Sequence, residues 1–227
     1  MKPLGIFANP ARWMDGAHLG RVVSVADPKN LGRVQVTLLA EDSDGAAEVW
    51  ARVAVPFAAS NCGAFFIPDV GEEVVVMFVG NNADAPVVVG SLWNGKTDVP
   101  EALSGDRVDR WTITGKAGTR IAIVEESSGQ EKVEIETPGG AKCTITDASG
   151  GSIKFECAGN TITSNTQGVS VESGSTVKVT ASKVEVSAGS VKVDAAISTF
   201  SGVVKCDTLL SNSVVSTSYT PGAGNIW

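Results

Sequence analysis

The 227 residues carry 43% hydrophobic but only 6% aromatic side chains, 25 glycines and a net charge of −7 with a pI near 4.8. An acidic chain lacks the electrostatic attraction that dominates nucleic-acid binding, and no apolar run approaches the ~18 residues of a membrane helix. So few aromatics, beside so much Val, Ala, Ser, Thr and Gly, suit thin repetitive β-structure better than a wide enzyme core, in a length that allows one large domain or two small ones.

Residues 1–18 read as an arm, with Phe7 and Trp13 able to anchor it on a neighbouring subunit or to cover the first domain. Pro3, Pro10, Asp15 and His18 interrupt this stretch, so it lacks the continuous apolar core of a secretory signal. Strand signals begin at Leu19 and run to Val25, where Asp27-Pro28-Lys29-Asn30 marks a turn. Gly32 to Leu38 alternates apolar and polar residues, and after the polar loop Glu41-Asp42-Ser43-Asp44-Gly45 a second alternating run, Val49 to Val55, stops at Pro56. Ala64 to Ile67, Glu72 to Val79 and Val87 to Gly90 add three more strand candidates, and Trp50 is read as a core residue from its strand position. Five or six short strands in so short a stretch, with no helix of note, predict a small barrel, most economically an OB-fold over 19–97. A charged, turn-rich linker follows over 98–117, within which Trp111-Thr112-Ile113-Thr114 opens a ladder of further strands.

The ladder, placed over 118–212, has two registers. The pairs Ile121/Ile123, Val133/Ile135, Cys143/Ile145 and Ile153/Phe155 are spaced ten to twelve residues apart. Val169/Val171, Val177/Val179, Val184/Val186 and Val191/Val193 follow at steps of eight, seven and seven. Each pair sits at i and i+2 and faces one side of a strand, and the polar corners between them make a fixed strand-and-corner period, as in a β-helix or solenoid. The shorter period predicts a rod that narrows towards the C-terminus. One such chain cannot bury its valines, because each turn offers only two apolar side chains on one face. Three identical chains around one axis would bury that face and pair every strand edge. The expected fold is therefore all-β, an N-terminal OB-fold barrel followed by an intertwined trimeric β-helix needle. Val171, Val179, Val186 and Val193 are its trimer-core candidates, and whether the Val184/Val186 face is axial or lies in the wall stays open.

At Val49-Trp50-Ala51-Arg52-Val53-Ala54-Val55-Pro56, at Phe65 to Val74 and at Ala85 to Lys96, the chain resembles the OB domain of contractile-injection spike proteins. That family includes phage baseplate assembly protein V and the valine-glycine-repeat spikes of type VI secretion. The resemblance covers residues 19–97 in ordered motifs, and the later ladder resembles the family's triple-stranded β-helix in character and position. It implies a homotrimer at the centre of a baseplate that caps the inner tube and leads it through the target envelope. Its partners would be hub and tube proteins, with transient contact to the envelope. Such a protein is made in the cytoplasm and built into a virion or phage-tail-like particle. Some relatives hold a metal at the apex through His-x-His, but the single histidine here, His18, is expected ahead of the first strand at the other end. The segment 213–227 carries Tyr219, Pro221 and Trp227, and reads as a cap or as a platform for a conical tip protein of the PAAR type. Lysozyme or effector domains of larger relatives have no room in this length.

No residue pattern indicates catalysis, a cofactor or a metal. The cysteines Cys62, Cys143, Cys157 and Cys206 are far apart and read as reduced thiols, Cys143 and Cys157 sitting in similar strand contexts where they could stack on neighbouring turns. His18 has no nucleophile in motif, and the Glu41–Gly45 loop lacks the downstream glutamate of a calcium loop. Gly139-Gly140 and Gly150-Gly151 are followed by neither Gly-Lys-Ser/Thr nor a helix, and read as corners. The alternative function is a β-helical surface fibre or glycan-processing tail spike with paired carboxylates. Aromatic-lined clefts serve that role, and residues 119–212 hold only Phe155 and Phe200 as aromatics.

Overall fold

The computed structural model describes residues 14–39, 48–103 and 105–217. The described residues fall into two units, up to Thr176 and from Val177 onward.

The first unit begins with a closed five-stranded barrel of β1 (Ala17–Ser24), β2 (Val34–Leu38), β3 (Glu48–Val53), β6 (Glu73–Phe78) and β7 (Pro86–Leu92). Going round the barrel the order is β1-β2-β3-β7-β6, with β3 and β7 parallel and every other pair antiparallel. This is OB-fold topology. Strand alternation builds the core: Val34, Val36 and Leu38 from β2 meet Val74, Val76 and Phe78 from β6, with Val22, Ala51 and Val88 completing it. Valine dominates because the bore is narrow. At Gly20 a Cβ would stand 3.2 Å from Val76 Cγ2 and 3.3 Å from the Thr37 carbonyl oxygen.

Three details differ from the sequence-based expectation. Trp50 lies outside the barrel: it stands opposite Gln35 on the parity of Arg52, while Val49, Ala51 and Val53 take the inward positions. Ala64–Pro68 forms no strand; instead β4 (Ala58–Ala59) and β5 (Cys62–Gly63) make a minimal hairpin. Asn61 turns it at φ 53°, a conformation asparagine tolerates. His18 is the second residue of β1 rather than a residue ahead of it. Its ring packs edge-on against Phe78 at 5.4 Å, and its Nε2 is buried without a hydrogen-bond partner among the described residues.

The rest of the first unit is a seven-stranded antiparallel meander: β8 (Arg110–Thr114), β9 (Arg120–Val124), β10 (Lys132–Glu136), β11 (Lys142–Thr146), β12 (Ser152–Cys157), β13 (Asn160–Asn165) and β14 (Gly168–Glu172). Regular spacing alone suggests a chain winding one way; over this stretch each strand instead folds back on the last. The corners dictate the return. Between β12 and β13 the whole turn is Ala158-Gly159, both at positive φ (49° and 80°), the two-residue geometry that matches the twist of an antiparallel pair.

The second unit, from Val177, carries the seven-residue valine repeats. Its described residues form no strand, and Val179, Val186 and Val193 are all more than 70% exposed. Among the described residues this segment has no strand partner, which leaves its backbone groups and valines to be covered by something further.

Candidate assembly surface

The meander's register sorts its side chains into two faces. On one face Ile113, Ile121, Ile135, Cys143, Phe155, Ile162 and Val171 form an unbroken row across all seven strands. A second row beside it runs Trp111, Ile123, Val133, Ile145, Ile153, Ser164 and Val169. Only Ser164 in these two rows is polar. Among the described residues this face is open: Trp111 is 53% exposed, Phe155 51% and Val171 56%. Side chains about half exposed over the two rows leave on the order of 1,000 Å² of apolar surface, well beyond the few hundred Å² that soluble monomers tolerate in one patch.

The opposite face is polar and already satisfied. Glu101, in the irregular segment after the barrel, accepts from Arg120 Nε at 2.6 Å and from Arg110 Nη1 at 3.4 Å. Arg110 also reaches Asp109 (2.9 Å) and Glu126 (2.5 Å), and Arg107 donates to the carbonyl oxygens of Glu125 and Glu126. Glu134 sits among Arg120 (3.1 Å), Lys132 (3.4 Å) and Lys142 (3.4 Å). These contacts hold the segment against the sheet, on the face where Ala122 and Val124 are buried. Hydrogen bonding from Arg120 pulls the Glu101 carboxyl below its ordinary range, and Arg110 does the same for Asp109. Burial pushes Glu134 up, but Lys132, Lys142 and Arg120 together outweigh it and leave it lowered. The meander is thus amphipathic, its charged face covered at β8 and β9 by the segment after the barrel and its apolar face open along all seven strands.

The barrel carries its own fixed points. Asp27 accepts from the backbone N–H groups of Lys29, Leu31 and Arg33 and pairs with the Arg33 guanidinium at 2.6 and 3.1 Å. Arg33 holds its carboxyl far below the usual range, and the same guanidinium lies over the Trp50 ring at 5.5 Å. An apolar groove of about 460 Å³ opens between Leu31, Val53 and the small hairpin, with Phe57 and Phe65 on its rim.

Of the trimer-core candidates, Val171 lies in the first apolar row opposite Ile162, while Val179, Val186 and Val193 repeat along the second unit. Tyr219, Pro221 and Trp227, together with Phe7, Trp13 and the Glu41–Gly45 loop, lie outside the described residues. Cys143 faces Phe155 across the strands, and Cys157 pairs with Asn160 at the strand end, so the two thiols are not opposite each other. Among the described residues no group of three or more His, Cys, Asp or Glu side chains is placed to hold a metal. No helix among them is long and apolar enough to cross a membrane. Trp111 and Ile113, which open the ladder, share the i, i+2 pattern of the later pairs and continue both apolar rows to the sheet edge; the residues that sequence reasoning missed are those of the polar network, Glu101, Arg110, Arg120 and Glu134.

An OB barrel that feeds an amphipathic β-meander with an open apolar face is a module built for assembly. Residues 18–93 match the family model of the type VI secretion system/phage-baseplate injector OB domain, and residues 132–193 match that of the phage baseplate V C-terminal trimerisation domain. The chain belongs to the baseplate V and VgrG spike family. It is similar to the type VI secretion system spike protein VgrG1a of Pseudomonas aeruginosa, 35% identical over 113 residues, covering 46% of this chain and 18% of that one. Against VgrG1c of the same species the identity is 30% over 113 residues, covering 46% and 16%. Against VgrG3 of Vibrio cholerae it is 35% over 110 residues, covering 46% and 11%. The chain thus spans less than a fifth of the length of these relatives.

Proposed function

We propose that three copies of this chain form the central spike of a contractile injection particle, capping the inner tube at the baseplate and leading it through the target envelope. The observation that carries this reading is the open apolar face of the meander, two rows seven strands wide on a chain that matches a trimerisation domain. Threefold packing of that face gives a closed prism with its charged faces outward, and the valine repeats beyond it continue as the needle, with Val171, Val179, Val186 and Val193 turned to the core. The role is mechanical, with no reaction catalysed. The barrels make the hub and tube contacts, and the segment holding Tyr219, Pro221 and Trp227 presents apolar side chains to a tip protein of the PAAR type.

Two measurements test this. Sedimentation of the purified chain gives a trimer mass at micromolar concentration; a stable folded monomer overturns the reading. In a host carrying the particle's genes with this one deleted, electron microscopy shows no complete baseplates. The wild-type gene restores them and the Ile145→Asp gene does not.

A further inference from the structure

The valine repeats of the second unit pose a problem that apolar packing cannot solve. Val177/Val179, Val184/Val186 and Val191/Val193 are identical rungs seven residues apart, so a neighbouring chain displaced by one rung buries the same valines. Repetitive strands are weakly specified in register unless something else distinguishes the rungs.

The residue between the two valines supplies that distinction: it is Lys178 in the first rung, Glu185 in the second and Lys192 in the third. Two contacts fix which side these residues take. Lys183 pairs with Glu185 two positions on, and Lys192 Nζ stands 3.7 Å from Asp194 Oδ2, so Glu185 and Lys192 lie on the side away from their flanking valines. All four of these charged side chains are more than 70% exposed.

We propose that the column Lys178–Glu185–Lys192 sets the register between chains of the needle. The inference rests on the threefold assembly proposed above and adds to it a specificity element. Threefold symmetry puts the same rung of each chain at one height on three different faces. Along any one face, successive strands are therefore successive rungs from different chains. In that arrangement Glu185 of one chain lies between Lys178 of a second and Lys192 of a third, repeated on all three faces. A slip of one chain by one rung sets Lys178 between another Lys178 and Lys192, and Glu185 beside Glu185. Opposite charges side by side on adjacent strands stabilise and like charges destabilise, so the slipped assembly gains no apolar contact and loses every charge pair at the mismatch.

The test is cross-linking in the full-length chain with Cys62, Cys143, Cys157 and Cys206 changed to Ala. Thr180 and Ser187 hold equivalent positions in successive repeats and in the proposed arrangement occupy one outer column. With native charges, the double variant Thr180→Cys/Ser187→Cys treated with a short bis-maleimide closes into a covalent trimer, and neither single variant cross-links. Adding Glu185→Lys lowers that yield about five-fold or more, as expected when like charges replace attractive pairs on three faces, and the single variant Ser187→Cys now gives dimers. The charge-exchanged triple Lys178→Glu/Glu185→Lys/Lys192→Glu restores the closed trimer. Unchanged cross-linking with Glu185→Lys at trimer mass overturns the register proposal while leaving the threefold assembly standing. Failure of the triple exchange to restore what Glu185→Lys destroys also overturns it. A monomer mass for the unmodified chain removes the assembly itself and is read separately by sedimentation.

Discussion

Lys116 Nζ stands 2.5 Å from Asp69 Oδ2 and 3.6 Å from Glu72 Oε1, joining the turn between β8 and β9 to the loop that leads into β6. It is a direct charged link between barrel and meander. All three side chains are well exposed, and exposed pairs add little to stability because water screens them. Their effect is on position. We expect Lys116→Ala to leave the thermal midpoint and the assembly mass unchanged, while hydrogen exchange accelerates at Gly115–Gly118 and in the loop before β6. Loss of several degrees in the midpoint would show that the link contributes stability as well.

The two faces of β11 give a matched pair of substitutions. Ile145 lies in the second apolar row and Thr144 on the charged face beside it in sequence. In a trimer sealed by the apolar rows, Ile145→Asp brings three carboxylates into a dry interior. Burying an unpaired charge costs several kcal/mol per group. We expect Ile145→Asp to sediment as a monomer that keeps its barrel strands by circular dichroism, and Thr144→Asp to remain a trimer. In the needle, Val186→Asp should act as Ile145→Asp does. A stable trimer carrying either Ile145→Asp or Val186→Asp would place that residue outside the interface.

The barrel was the most readable part of the chain, and the physical reason is alternation. Val34, Val36 and Leu38 announce a half-buried strand because period-two patterning is what one wet and one dry face require. The same rule misplaced Trp50, since Val49 and Ala51 are apolar too and only the parity of Arg52 separates the faces. In the meander, the i, i+2 pairs identified the apolar face and even its extension to Trp111. They could not say whether the chain winds or folds back, because strand spacing is the same in both cases. That depended on two-residue corners such as Ala158-Gly159. The polar network was hidden for a different reason: Glu101, Arg110, Arg120 and Glu134 are distant in sequence and converge only when the segment after the barrel docks on the sheet.

Gly20 gives a prediction confined to the barrel. It lies in β1 with Val76 and Thr37 closing on the space a side chain would need. Gly20→Val must therefore push β2 and β6 apart. Overpacking of this kind costs about 1–3 kcal/mol. We expect a lower midpoint for the barrel's unfolding transition, with assembly through the meander retained. An unchanged midpoint would mean that the barrel expands freely at this point.

The charge network on the meander's closed face predicts an acid limit to stability. Glu101, Asp109 and Glu134 all have carboxyls held below their ordinary values of 4.5, 3.8 and 4.5 in the folded chain. The unfolded chain therefore takes up protons first as pH falls, and folding loses stability in that direction. The contribution is fully present above the ordinary carboxylate range and is lost as pH drops through it towards the lowered folded values. We expect the thermal midpoint to be flat near neutrality and to fall steadily below about pH 4.5, within the carboxylate range. Arg120→Gln should weaken this dependence, because Arg120 is the hydrogen-bond partner of both Glu101 and Glu134. The comparison is made as midpoint against pH for the two proteins in the same buffers. Equal slopes below about pH 4.5 would show that acid acts elsewhere, as at Asp27, whose carboxyl is also held low by its Arg33 partner in the barrel.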